Sequence, residues 1–285
     1  MINMKKTAIL IGFYYDHPGW KSLCGALIDL YHAWEHCNGL GYEVRIINDF
    51  LEESIPDSIN SAVLNGYVDV DVLDFCETQR ENMCNVLSKT EFTKALKSAL
   101  EEVGDVLFIY FSGHGDEERD GLVLPDDSLL EWNIFYKILL SHVPMDTEVC
   151  LVFDCCYPPD FNLSYTLCEK RFRLLHPYAI PPLHQIQVFT SSHPSQRSES
   201  SDRGSLFTRF FFQQLKEIFS NKSSSLNLVD FKDNIDEKIR NKRGKKAQKI
   251  YIYSSHSHLP LLKWWLWNTK HVEYLLSKKV FQIEN

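Results

Sequence analysis

Two nearly continuous apolar runs constrain this chain most: DVLFIYF at 105–111 and EVCLVFD at 148–154. A strand that is apolar at almost every position has no face to give to water. It must be covered on both sides, as in the parallel sheets of α/β proteins. Four further β-rich runs accompany them, at 6–13, 42–48, 187–191 and 249–254. Between the runs, apolar residues recur at helical spacing. Leu23, Ala26, Leu27, Leu30 and Trp34 mark one such segment, and Phe207, Phe211 and Leu215 another, with Ser205 as its cap. Leu228, Phe231, Ile235 and Ile239 mark a third. Ser88–Glu91 and Ser128–Glu131 have the form of capping boxes that open helices, the second leading to Ile134, Ile138 and Leu139. Alternation of this kind predicts a three-layer α/β/α sandwich around a mostly parallel six-stranded sheet. Residues 51–87 show no strong pattern and read as a long insertion or loop, and 238–249, rich in Lys and Arg, as a solvated surface loop.

Composition bounds the function. The 285 residues are enough for one large domain or two small ones, and 44% hydrophobic with 24% charged is ordinary for a globular chain. The net charge of −8 excludes a main role based on neutralising nucleic-acid phosphate. No apolar run reaches the length of a membrane span. Lys5 and Lys6 before AILIGFYY imitate a short signal peptide, but a buried first strand explains the segment better. Eight cysteines show no zinc spacing. Three cluster at Cys150, Cys155 and Cys156, and adjacent cysteines in a strand point to opposite faces. A reducing, cytoplasmic setting is the simpler expectation than a disulfide framework.

In parallel sheets, ligands sit beyond the carboxyl ends of the strands. Just there, Ser112-Gly113-His114-Gly115 follows the run at 105–111, and Cys155-Cys156 follows Asp154 at the end of the second run. A histidine and a cysteine at neighbouring strand ends are the minimum set for nucleophilic catalysis by a thiolate. The backbone N–H groups of Gly115 and Cys156 are candidates for an oxyanion hole.

These motifs, with LCGALIDLYHAWEHCNGLGYEVRIIND, FTSSHPSQRSES and GSLFTRFFFQQL, resemble the caspase-like cysteine peptidases of clan CD, the metacaspases above all. The resemblance implies a peptidase domain over 1–258; the Trp-rich 259–285 reads separately as a helical extension packing on it. It implies His114 as base, Cys156 as nucleophile and Cys155 as a core residue. It also implies an acidic pocket of Asp29, Ser112 and Asp154 for Arg or Lys before the scissile bond. Its substrates are proteins or peptides, the chain itself included, the basic stretch Lys170, Arg171 and Arg173 in an exposed loop at 157–186 being the expected self-cleavage site. From the charge and the apolar runs, neither nucleic acid nor a membrane span is expected; a monomer with no required cofactor or metal is expected besides. Asp116, Glu117, Glu118, Asp120, Asp126 and Asp127 are where a calcium site would be sought, but as scattered acids they read as surface.

The chain departs from the family pattern in three places: Tyr157-Pro158-Pro159 stands where His-Ser-Gly is usual, Ala26 where a pocket cysteine is usual, and Ile28 where Asn is usual. The proline pair requires a different loop after Cys156. It motivates a rival reading, an inactive regulator or scaffold of the same fold. A further rival is cleavage after Asp, with Arg197 near the cleft as the recognising cation.

Overall fold

The computed structural model describes residues 4–15, 19–50, 71–168, 171–175, 184–198, 200–201, 203–220, 228–244 and 247–256. The strands are β1 (Lys6–Gly12), β2 (Glu43–Asn48), β3 (Met83–Asn85), β4 (Val106–Ser112), β5 (Gly115–Asp116), β6 (Gly121–Val123) and β7 (Leu129–Glu131). They continue with β8 (Glu148–Asp154), β9 (Tyr165–Cys168), β10 (Arg171–Leu174), β11 (Gln185–Thr190), β12 (Ser200–Ser201), β13 (Gly204–Ser205) and β14 (Tyr251–Ser254). The helices are α1 (Ala26–Gly39), α2 (Asp71–Thr78), α3 (Lys89–Leu100), α4 (Trp132–His142), α5 (Leu206–Ser220) and α6 (Leu228–Arg243).

The central sheet runs β10-β9-β14-β11-β8-β4-β1-β2-β3. From β11 to β3 every pairing is parallel; β14, β9 and β10 add an antiparallel edge. All six expected strands are present, but the sheet has nine among the described residues, not six. The three that periodicity missed, β3, β9 and β10, are only three or four residues long. Segments that short carry too few alternations to register as strands.

β1, β4 and most of β8 are buried on both faces, as their unbroken apolarity requires. Alternation then divides the side chains between two cores. Ala8, Leu10, Phe108 and Tyr110 point into one, filled by Leu30 of α1, Phe75 of α2, Phe207, Phe211 and Leu215 of α5, and Phe231, Ile235 and Ile239 of α6. Ile9, Ile11, Ile109 and Phe111 point into the other, filled by Phe92 and Leu96 of α3 and Trp132, Phe135 and Leu139 of α4. The three layers are therefore helices, sheet, helices. Truncating one of these buried aromatics to Ala would cost about 3–5 kcal/mol.

Two caps behave as the sequence predicts. Ser88 Oγ accepts the Glu91 N–H at 3.3 Å and opens α3, and Ser205 Oγ accepts the Phe207 N–H at 3.1 Å and opens α5. Ser128 does not cap α4. Residues 129–131 form β7 instead, Glu131 takes the cap position, and Ser128 Oγ bonds Asp126 Oδ1. In consequence Ile134 is exposed, and Trp132 and Phe135 take the inward positions with Ile138 and Leu139.

Other segments also depart from expectation. Part of the supposed 51–87 loop is ordered as α2 and β3. Val72 and Phe75 bury against the core, which fixes a helix whose polar remainder hides its period. Residues 238–243 extend α6 rather than forming a loop, with Lys238 paired to Glu217 at 2.8 Å. The expected exposed loop at 157–186 includes the β9–β10 hairpin on the sheet edge, which places Arg171 and Arg173 in a paired strand. Lys170, residues 51–70 and the whole 259–285 extension lie outside the described residues. Among the described residues, no helix is long and apolar enough to cross a membrane.

Candidate active site

Chain order places the site. The chain runs from β1 outward to β2 and β3, then returns to put β4 on the other side of β1. Such a reversal opens a crevice at the carboxyl ends of the strands. Gly12, Ser112 and Asp154 are level there, since Gly12 pairs with Ser112 and Ser112 with Asp154. The loops after β1, β4, β8 and β11 converge on a cleft of roughly 420 Å³. Lys21, Leu23, Ser112, His114, Asp154, Cys156 and Ser198 are among the residues that line it.

His114 is held on every side. Its backbone N–H donates to the Tyr15 hydroxyl at 2.7 Å, and that hydroxyl donates to the Val123 carbonyl at 3.0 Å. Its ring Nε2 is 2.7 Å from the Lys21 carbonyl. A carbonyl only accepts, so Nε2 carries the proton, and Nδ1 keeps its lone pair in the neutral ring. Tyr15 and Trp20 lie 4.6 and 5.0 Å from the imidazole, centroid to centroid. Burial depresses the His114 pKa, the Lys21 carbonyl partly opposes this, and the Lys21 ammonium adds to it. His114 is therefore neutral at pH 7.

Cys155 and Cys156 diverge as adjacent residues in extended chain should. Cys155 is buried in the α3–α4 core, and burial drives its pKa far upward. Cys156 is half-buried on the cleft wall, and its thiol donates to the Ser198 carbonyl at 3.6 Å rather than to His114. Burial raises the Cys156 pKa, the Ser198 contact and the Arg197 charge lower it, and Asp154 raises it further. The resting pair is thus thiol and neutral imidazole, not an ion pair.

Gly115 is required by packing. A Cβ there would stand 2.0 Å from the Cys156 carbonyl oxygen. The Val123 N–H donates to the His114 carbonyl at 3.0 Å, which makes Gly115 and Leu122 a non-hydrogen-bonded pair. The Gly115 N–H therefore faces away from β6.

The three expected pocket residues come together. Asp29 of α1 accepts the Ser112 hydroxyl at 3.0 Å on Oδ2 and the Ser205 N–H at 2.9 Å on Oδ1. Asp154 accepts Ser198 Oγ at 3.0 Å and Thr208 Oγ1 at 2.6 Å. Both carboxyls are buried and both pKa values are raised by burial, Asp29 further by the Asp154 charge. Gly204, at φ +83°, packs 2.7 Å from Asp29 Oδ1 as measured from the position a Cβ would take, so glycine alone suits it.

The departing loop is built differently. Tyr157 takes a left-handed backbone, φ +49°, with its N–H on the Gln196 carbonyl at 2.9 Å. Pro158 and Pro159 are buried. Arg197 Nε donates to the Tyr157 hydroxyl at 3.3 Å and is fully exposed; it does not join Ser112 and Asp154 in lining the cleft. Three of the acids after His114 have protein partners: Asp116 pairs with Arg119 at 2.8 Å, Asp126 accepts the Ser128 N–H at 3.1 Å, and Asp127 accepts the Trp20 indole N–H at 2.6 Å. Among the described residues, no cluster of His, Cys, Asp or Glu has metal-binding geometry.

Sequence reasoning missed Tyr15, Trp20, Lys21, Ser198 and Thr208. Lys21 meets His114, and Ser198 meets Cys156, through carbonyls, which leave no mark in a sequence. The aromatic-rich FYYDHPGW after β1 was the available signal for Tyr15 and Trp20.

Fold and cleft together define an α/β/α sandwich protein that gathers a histidine, a cysteine and two buried carboxylates at the carboxyl edge of its sheet. The chain belongs to the caspase-domain family, peptidase C14, which matches residues 5–261. Among solved structures it is similar to caspase-1 from Spodoptera frugiperda, at 15% identity and TM-score 0.57, over 90% of this chain and 89% of that one. It is likewise similar to a protein from Geobacter sulfurreducens, at 14% identity and TM-score 0.54, over 90% of this chain and 95% of the other. At these identities the likeness is one of fold. No curated protein sequence matches the chain.

Proposed function

We propose that this caspase-family chain is a cysteine endopeptidase of the metacaspase kind, cutting after Arg or Lys. One observation carries the reading: His114, Cys156 and Asp154 line one cleft, with Asp29 bonded to Ser112 in its wall. His114 Nδ1 takes the proton of the Cys156 thiol as sulfur attacks the scissile carbonyl carbon. The oxyanion that forms is met by the N–H groups of Gly115 and Cys156. His114 then gives the proton to the leaving amine as the C–N bond breaks, leaving a thioester. Water, deprotonated by the same imidazole, hydrolyses the thioester and regenerates the thiol.

Asp29 and Asp154 supply the specificity. Two carboxyls buried together repel as anions, and a guanidinium or ammonium between them relieves that repulsion with charge-assisted bonds. An Asp side chain would add a third negative charge. Arg197, tied to Tyr157 outside the cleft lining, gives the Asp-cleaving alternative no support. Self-cleavage belongs to the same reading, at the basic stretch around Lys170. A peptide-library profile with a Cys156→Ala control tests the proposal. Cleavage after Arg and Lys that vanishes in the control is expected; cleavage after Asp, or cleavage surviving the control, overturns it.

A further inference from the structure

We propose that Trp20 and Asp127 form a latch that positions the His114 imidazole. The inference rests on the reading of His114 as the base, and it assigns positioning to two residues that do not touch the substrate. One stretch of two residues supplies two contacts to the ring, beside the Tyr15 ring at 4.6 Å. The Trp20 indole lies 5.0 Å from the imidazole at 35°, and the Lys21 carbonyl accepts Nε2–H at 2.7 Å. That stretch is fastened from outside by the Trp20 Nε1–H bond to Asp127 Oδ1, at 2.6 Å.

Asp127 is a firm anchor. It sits in the turn between β6 and β7 with φ +61°, its own N–H bonded to the Leu124 carbonyl at 3.0 Å. Arg119 stands 4.0 Å from the same oxygen. The turn is itself registered to His114, because Val123 of β6 donates to the His114 carbonyl at 3.0 Å. The contacts thus close a circuit: His114 backbone, β6, the Asp127 turn, Trp20 with Lys21, His114 ring. Opening the circuit at Asp127 releases the one segment that both orients the imidazole and fixes which nitrogen carries its proton. The indole also covers the ring from water. The other titratable and charged groups around the ring are the Lys21 ammonium, the Tyr15 hydroxyl and, in the lining of the same cleft, Cys156, Asp154 and Arg243.

The test uses Asp127→Gly, which suits the left-handed backbone, Asp127→Asn, which keeps the accepting oxygen, and Trp20→Ala. Two readouts are taken on the full chain: steady-state peptide cleavage and an NMR titration of the His114 ring. Asp127→Gly and Trp20→Ala are expected to lower kcat by about 10- to 100-fold with KM changed less than about threefold, and Asp127→Asn to stay within about threefold of the parent. The His114 titration midpoint is expected to rise in Trp20→Ala, as the ring gains water. Unchanged kcat in Asp127→Gly, or Asp127→Asn as damaged as Asp127→Gly, overturns the latch. Should His114→Ala cleave peptides as well as the parent, or the parent cleave none, the peptidase reading fails. The titration still decides the latch in that case: a midpoint raised in Trp20→Ala supports it, and one unmoved overturns it.

Discussion

Asp29 and Asp154 arrive at one buried place from α1 and β8, and the Asp154 charge helps push the Asp29 carboxyl well above its ordinary range. Their hydrogen bonds to Ser112, Ser205, Ser198 and Thr208 hold the carboxyls in place and oppose part of that rise. Such a pair opposes folding at neutral pH and favours a cationic ligand.

Asp29→Asn separates the two effects. The amide keeps the shape, and its oxygen can still accept the Ser205 N–H. Stability at pH 7 is expected to hold or rise, by at most about 2 kcal/mol. Cleavage after Arg is expected to fall by the loss of a buried charge partner, about 2–5 kcal/mol in kcat/KM terms. Thermal unfolding and peptide kinetics on one preparation check both. The linkage sign agrees. A carboxyl with a raised folded pKa stabilises fully below its unfolded pKa, and that stability is lost as pH rises through the folded one. The parent is therefore expected to gain more stability than Asp29→Asn on acidification from neutral pH towards pH 5.

Cys156→Ala and His114→Ala are both expected to abolish cleavage, because the pair acts as a unit. Cys155→Ala is expected to leave most activity and to lower stability by about 1–2 kcal/mol, the effect of a small cavity behind β8. Activity surviving in Cys156→Ala and lost in Cys155→Ala would reverse the assignment of nucleophile.

Thiol alkylation reports the Cys156 environment directly. Because burial raises its pKa, the labelling rate without substrate is expected to reach half-maximum above about 8.5, the ordinary thiol value. Arg197→Ala removes a favourable charge and is expected to move the midpoint up. Asp154→Asn removes an unfavourable one and is expected to move it down. A midpoint well below neutrality would indicate a preformed ion pair and contradict the neutral resting state.

Gly115→Ala puts a methyl group 2.0 Å from the Cys156 carbonyl oxygen, backbone against side chain with no flexible end to yield. The two strand-end loops must part. A loss of about 100-fold or more in kcat is expected. Urea unfolding is expected to show about 2–4 kcal/mol of lost stability.

His36 offers a stability test away from the site. Burial against α5 lowers its pKa to about 3, with Lys216 adding to the effect. The unfolded state therefore binds the proton more readily from about pH 6.5 down to the folded value. Stability falls with acidification across that window, by roughly 1.4 kcal/mol per pH unit for this group. His36→Leu is expected to flatten that slope; an unchanged slope would show that His36 is not buried as described.

The sequence by itself determined the sheet and its functional edge. DVLFIYF and EVCLVFD are apolar throughout, so they had to be central strands, and whatever follows a central parallel strand lies at the carboxyl edge. The position of His114 and Cys156 at that edge was legible for that reason, as was the sandwich. The short strands β3, β9 and β10 were not, because segments of three or four residues join a sheet through main-chain bonds their neighbours offer. Ser128 was misread as a helix cap because local hydrogen-bonding chemistry is shared by caps and turns, and pairing with β6 decided for β7. What only the tertiary structure decided is the setting of the site: burial that favours a neutral thiol and a neutral imidazole, Nε2 as the protonated nitrogen, the Asp29 carboxyl pushed up by burial and by Asp154, Arg197 outside the cleft lining. Each depends on burial, on a carbonyl from another loop, or on a distance across the sheet. Those quantities exist only once residues far apart in the chain share a volume from which water has been excluded.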